Sequence, residues 1–204
     1  VHGVLVLQNP EYTILAAPFA ILFRKRVVTW YAHGAVTMRR RVMEIFSHAI
    51  LTSSENGFRT PFFPKKVYVI GQGIDIARFT PPVKPKLESE VNVLTIGRIA
   101  PTKDIESMIQ AISILTHTSS RRWVFYIIGT PAMPVDFVYL ENLKRLVFKQ
   151  RLTDRVHFLG GVPWQELPQH LQNADIFLNM SGTGSLDKAV LEAMASGCLV
   201  ITSN

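Results

Sequence analysis

Short apolar runs alternate with helix-length amphipathic stretches from one end of this chain to the other, and no other feature constrains its fold as much. The runs occupy 4–7, 27–31, 49–52, 67–70, 91–96, 123–128, 156–159, 175–179 and 198–202. They lack the apolar–polar alternation of a half-exposed strand and read as strands buried on both faces. Between them, Ile105, Met108, Ile109 and Ile112 recur at i, i+3, i+4 and i+7. Met38, Val42, Ile45 and Phe46 form a second helical stripe, and Leu140, Leu143, Leu146 and Val147 a third. The pattern predicts parallel β-sheets covered by helices, an α/β protein.

One stretch breaks the rhythm. Thr80-Pro81-Pro82-Val83-Lys84-Pro85-Lys86 fits neither a central strand nor a continuing helix, because its prolines lack the amide that either would use. It is read as a linker that divides the chain into an N-terminal unit, 1–82, and a C-terminal unit, 83–204. The first is about half a doubly wound domain. The sequence opens on Val1 rather than Met and stops just after an apolar strand, so both units read as incomplete.

The longest apolar run, 12–23, is shorter than the roughly 20 residues that a membrane-spanning helix needs. Arg24-Lys25-Arg26 follows it, whereas the charges of a signal peptide precede the apolar segment. A buried helix feeding the strand at Val27 is the expectation. With 22 Lys+Arg against 15 Asp+Glu, the net charge of +7 favours anionic partners: phosphorylated ligands, acidic lipid or nucleic acid. The single cysteine, Cys198, can form no internal disulfide, which suits a reducing, cytoplasmic compartment.

Two segments carry chemistry. In VLTIGRIAPTKDIESMIQAI, residues 93–112, a strand leads through the Gly97–Arg98 turn and a loop with Lys103 into a helix. A strand end facing a helix start is where α/β sheets bind anions, because unpaired amides point there. Arg98 and Lys103 add a bidentate and a mobile cation. In ADIFLNMSGTGSLDKAVLEAMASGCLVITSN, residues 174–204, a second strand ends in a small-residue loop. Ser185 is then the expected N-cap, and the amides of Leu186, Asp187 and Lys188 are free to face a ligand. Glu192, further along that helix, is placed to reach hydroxyls beside the anion; a surface glutamate is the other reading.

IGRIAPTK, HFLGGVPWQELPQHLQNADIFLNMS and LEAMASGCLVITS resemble, in order and spacing, the family-4 (group 1) retaining glycosyltransferases of the GT-B fold. VTWYAHG is similar to the strand-to-His element of that family's acceptor domain, and VIGQGIDIARFTP to its interdomain segment. The resemblance implies two Rossmann-like doubly wound domains, and transfer of a hexose-type sugar from a nucleoside-diphosphate sugar to a glycan or lipid acceptor with retained configuration. It places Arg98 and Lys103 on the donor diphosphate, Gly161 and Val162 at the nucleobase edge, Glu192 on the ribose, and His33 near the reacting sugar.

The chain departs from the family at one position. Where the first of two paired glutamates should stand, it has Gly184. Asp187, on the next turn, is a substitute carboxylate, and backbone amides alone are the other way to hold the sugar; a catalytically impaired nucleotide-sugar-binding relative is the alternative function. No Asp-x-Asp pair occurs, so neither a metal nor another cofactor is expected. Arg24-Lys25-Arg26 and Arg39-Arg40-Arg41 suit peripheral contact with acidic lipid, with an ordinary solvated helix face as the other reading. Gly71-Gln72-Gly73 lacks the third glycine of a dinucleotide fingerprint, and no basic stripe with interleaved aromatics suggests nucleic acid. If Gly184 faces the transferred sugar, Gly184→Glu changes the ranking of donor sugars in a competition assay; an unmoved ranking removes Gly184 from the sugar site.

Overall fold

The computed structural model describes residues 2–82, 90–182 and 187–203. It divides into two compact units, Val1–Gly73 and one that begins at Ile74. That division lies upstream of the proline-rich stretch, and packing explains why. Phe79 is buried in a cluster with Leu94, Leu171, Phe177 and Ala193, and Gln172 donates to the Thr80 carbonyl at 3.0 Å. Residues 74–82 therefore pack as part of the second unit.

The first unit runs β1 (Gly3–Leu7), α1 (Pro10–Leu22), β2 (Arg26–Trp30), α2 (Met38–Phe46), β3 (Ala49–Thr52) and β4 (Val67–Val69). Its four strands pair in parallel in the order β1-β2-β3-β4. A chain of buried hydroxyls ties the helices to the sheet. Thr13 of α1 meets Thr29 of β2 at 2.8 Å, Thr29 meets Ser47 at 2.9 Å, and Ser47 donates to the Met43 carbonyl of α2 at 2.8 Å.

Two sequence expectations are corrected in this unit. α1 is not a fully buried helix: Thr13, Ala17 and Ala20 face inward, while Tyr12, Leu15, Phe19 and Leu22 are exposed. α2 forms where expected but turns a different face to the core. Met38 and Ile45 are exposed, and Arg40, Met43 and Glu44 are buried. The reason is a buried ion pair: Arg40 Nη2 lies 3.0 Å from Glu44 Oε1, and its guanidinium stacks 4.0 Å from the Phe58 ring centre. Glu44 Oε2 also accepts the Phe62 amide at 2.6 Å. Arg40 is thus unable to meet a lipid surface, and Arg41 donates inward to the Thr60 carbonyl at 2.5 Å.

The second unit comprises β5 (Glu90–Ile96), α3 (Ile105–Thr118), β6 (Arg122–Ile128), α4 (Pro134–Lys149), β7 (Val156–Gly160), α5 (Leu167–Asn173), β8 (Ile176–Asn179), α6 (Lys188–Ala195) and β9 (Leu199–Thr202). Its parallel strands lie in the order β7-β6-β5-β8-β9. Successive residues of a strand point to opposite faces, so β5 feeds both cores. Val91 and Val93 join Ile105, Met108, Ile109, Ile112, Leu143 and Val147 on one face, and Leu94 joins Phe177, Leu171 and Ala193 on the other. All nine expected strands are present within a residue or so of the expected ends.

Removing one member of a fully buried ion pair strands the other charge, at about 3–5 kcal/mol. Arg40→Met is therefore expected to destabilise the protein by about 3 kcal/mol in chemical denaturation. A change within about 0.5 kcal/mol, the range of ordinary surface substitutions, refutes the account given for α2.

Candidate functional site

Strand order reverses beside β5: the chain moves outward from β5 to β6 and β7, then crosses back to β8 on the other side. Loops leaving β5 and β8 diverge to opposite faces, and the crevice between them is the ligand position of open α/β sheets. The residues singled out from the sequence in 93–112 and 174–204 leave these two strand ends.

Glycines bring the strand ends together. Gly97, just after β5, has φ 153°, and Gly129, just after β6, has φ 148°. A Cβ on Gly129 would lie 1.8 Å from the Gly97 carbonyl oxygen, so no other residue fits there. Three hydrogen bonds extend the ladders past the strands: Gly97 N to Ile128 O at 3.0 Å, Ile99 N to Thr130 O at 3.2 Å, and Gly129 N to Gly160 O at 2.8 Å. The Gly182 amide after β8 donates to the Thr102 carbonyl after β5 at 3.3 Å, which ties the two loops together.

Arg98 and Lys103 leave this platform. Arg98 is half-exposed, with Nε 3.7 Å from Asp136 Oδ2. Asp136 is buried, and the same oxygen accepts the Ala132 and Met133 amides at 3.1 and 3.0 Å at the start of α4. The carboxylate is thereby anchored to the backbone. Lys103 lies over Gly97, where an added Cβ would stand 3.4 Å from its Cε. Its Nζ is 2.5 Å from Asp187 Oδ2, which also receives Asn179 Nδ2 at 3.4 Å.

Next along α6, Lys188 Nζ lies 3.4 Å from Glu192 Oε1, and Glu192 is buried rather than a surface glutamate. Trp164, beyond β7, carries the Arg78 guanidinium 4.0 Å from its ring centre and Lys188 Nζ at 6.0 Å. Gly161 begins the same loop, where an added Cβ would meet the Thr130 methyl at 3.3 Å, and Val162 packs on the core beneath.

The described residues thus join Gly97, Lys103, Asp187 and Asn179 by direct contact, and Lys188, Glu192 and Trp164 by another set. Gly184, Ser185 and Leu186 lie outside the described residues. The helix expected to follow an N-cap at Ser185 instead begins at Lys188, with Asp187 in the capping position. Among the described residues no three His, Cys, Asp or Glu side chains are grouped to hold a metal ion.

His33 belongs to the first unit, after β2. Its Nδ1 accepts the Ala35 amide at 3.1 Å, which leaves Nε2 for other partners. It lines a cavity of about 620 Å³ with Gln8, Asn9, Glu11, Tyr31 and Arg39. There Glu11 is held below the usual carboxylate range by its own backbone amide and then by Arg39, whose Nη1 is 2.7 Å away. Burial raises the Tyr31 phenol above its ordinary value.

Reading from sequence missed Gly129, Asp136, Asn179, Arg78 and Trp164. A glycine directly after the apolar run 123–128 was a legible signal for Gly129, whereas nothing in the local pattern marks Asp136 as a partner of Arg98.

The family model described as glycosyl transferases group 1 matches residues 78–204. A phosphatidylinositol N-acetylglucosaminyltransferase subunit from Arabidopsis thaliana is 30% identical over 154 residues, covering 74% of this chain and 33% of that protein. The chain thus spans about a third of the length of the curated relatives it matches. The crystal structure of Anabaena Alr3699/HepE in complex with UDP superposes with a TM-score of 0.78 at 17% identity, covering 98% of this chain and 59% of that one. The C-terminal domain of the glycosyl transferase group 1 family protein LpcC from Francisella tularensis gives a TM-score of 0.57 at 26% identity, covering 64% and 70% of the two chains. The fold, two parallel-sheet α/β units, is GT-B.

Replacing Gly129 forces the β5 and β6 ends apart. Gly129→Ala is expected to cost about 3 kcal/mol or more in denaturant unfolding. A loss under about 1 kcal/mol contradicts the close approach.

Proposed function

The chain belongs to the glycosyl transferases group 1 family, and from that premise we propose that it transfers a hexose-type sugar from a nucleoside-diphosphate sugar to a glycan or lipid acceptor. The observation that carries the reading is the emergence of Arg98 and Lys103 from the β5 loop where strand order reverses. HepE, a neighbour in fold, was crystallised with UDP. In this chain Arg98 and Lys103 take the diphosphate, Glu192 the ribose hydroxyls, and the Gly161–Val162 backbone the nucleobase edge. Gly97 admits the diphosphate close to the backbone, and Lys188 borders the phosphate.

The chemistry follows from charge. Departure of the nucleoside diphosphate leaves extra negative charge on the phosphate oxygens. Cations already held in place stabilise that charge without reorganising, and removal of one such group typically costs about 3 kcal/mol of barrier. The reading therefore needs no metal: two protein cations fill that role. Retention of configuration, with the acceptor entering from the leaving-group side, completes the proposal.

We place the protein in the cytoplasm, in peripheral contact with membrane. No helix among the described residues is long and apolar enough to cross a membrane. α1, however, exposes Tyr12, Leu15, Phe19 and Leu22 just ahead of exposed Arg24 and Arg26. Apolar side chains beside cations suit a headgroup boundary, where each basic residue contributes about 1 kcal/mol. The Arabidopsis relative is named for a phosphatidylinositol substrate, which fits a lipid-borne acceptor.

A second reading, a donor-binding relative impaired in transfer, is carried by Gly184 in place of the family glutamate. It shares the binding step and differs in showing neither transfer nor donor hydrolysis. Arg98→Ala or Lys103→Ala is expected to weaken UDP or GDP binding by about 1–3 kcal/mol in calorimetric titration. Unchanged affinity in both variants rejects the diphosphate assignment.

A further inference from the structure

Asp187 occupies a capping position that its side chain does not use. It precedes the eight residues of α6 with an extended backbone, φ −81° and ψ 124°, yet makes no side-chain bond to the helix. Aspartate is among the strongest N-caps because its carboxylate accepts the amides of the first turn. Here the carboxylate reaches across to Lys103 instead, at 2.5 Å, with the Asn179 amide as its further partner at 3.4 Å.

The contrast with Asp136 is informative. Asp136, beside Arg98, is buried and fastened by two backbone amides, so it stays in place and orients the guanidinium. The Asp187 and Lys103 side chains are each about a quarter exposed, and among the described residues no backbone amide anchors the Asp187 carboxylate. A phosphate that reached Lys103 would meet the Asp187 carboxylate at contact range. Two anions cannot share one ammonium at that distance without strong repulsion. The Val190 amide already donates to the Asp187 carbonyl at 3.1 Å, so a rotation that carries the Asp187 carboxylate onto the Ala189 amide relieves the repulsion and completes the helix cap.

We propose that Asp187 is an exchangeable counter-ion that sets donor affinity: it neutralises Lys103 in the unliganded protein and gives way to the donor diphosphate by moving onto the first turn of α6. This rests on the donor reading above. Asp187 is then neither a fixed orienter of Lys103 nor the first contact of the sugar. Lys103 is kept folded over Gly97 when no nucleotide is present, and the site favours a polyanion able to displace a carboxylate.

The test is calorimetric titration of the chain with UDP and with GDP, in wild type and in Asp187→Asn, Asp187→Ser, Lys103→Gln and Glu106→Gln. Asn and Ser both retain a capping side chain and remove the charge, so either reads the proposal if the other folds poorly. Both are expected to bind the preferred nucleotide about tenfold more tightly than wild type. Lys103→Gln binds more weakly. Glu106→Gln removes an equal charge from the first turn of α3 and stays within about twofold, as expected for a screened surface charge.

Unchanged or weaker binding in both Asp187 variants overturns the proposal, since Asp187 then orients Lys103 or does nothing to the anion. A tenfold gain at Glu106 overturns it too, by making the effect one of net charge. If wild type and every variant bind neither nucleotide, the donor reading fails and this proposal with it, an outcome distinct from tight wild-type binding that Asp187 does not alter.

Discussion

Backbone meets backbone where Gly129 faces the carbonyl of Gly97, and the candidate donor site is arranged around that contact. A single methyl group would intrude to 1.8 Å of the oxygen, so the ends of β5 and β6 come this close only because Gly129 lacks a side chain. The approach lets the ladder continue beyond the strands, through the Gly97, Ile99 and Gly129 amides. A rigid three-strand rim results. It also leaves an open surface over Gly97, and Lys103 lies across it.

Charge at the rim is balanced in pairs. Arg98 has Asp136, Lys103 has Asp187, and Lys188 has Glu192. A partly buried cation without a partner bears a desolvation cost, and a partner offsets it. The pairs are not equivalent, because their carboxylates are held differently. Backbone amides anchor Asp136, whereas among the described residues Asp187 is bound through side chains alone. An anchored partner orients a cation for a ligand, and an unanchored one is able to yield its place. Preorganisation of this kind is what stabilises charge that develops on a leaving group.

The first unit solves a different problem with similar means. Its apolar clusters are small, and buried hydroxyls and an ion pair between Arg40 and Glu44 lie beside them. α2 illustrates the limit of periodicity. Met38, Val42, Ile45 and Phe46 follow a helical repeat, and so do Arg40, Met43, Glu44 and Ser47. Both stripes lie on one helix. The repeat identifies the helix, while the choice of face depends on Phe58 and Phe62, which arrive from a distant loop to receive Arg40, Arg41 and Glu44.

Much of the architecture was legible from the chain alone. Strands buried on both faces must be apolar throughout, so β5, β6 and β8 announce themselves, and the stripe of Ile105, Met108, Ile109 and Ile112 marks the buried face of α3. Arg98, Lys103 and Glu192 were visible because short spacing ties each to a strand end or a helix start. The pairing of Lys103 with Asp187, of Arg98 with Asp136, and of Arg78 with Trp164 was not. Those partners are 84, 38 and 86 positions apart in sequence. Local pattern determines which segments become strands and helices, because hydrophobic burial repeats with the period of each element. Which charges face one another is decided only when the sheet sets distant strand ends side by side.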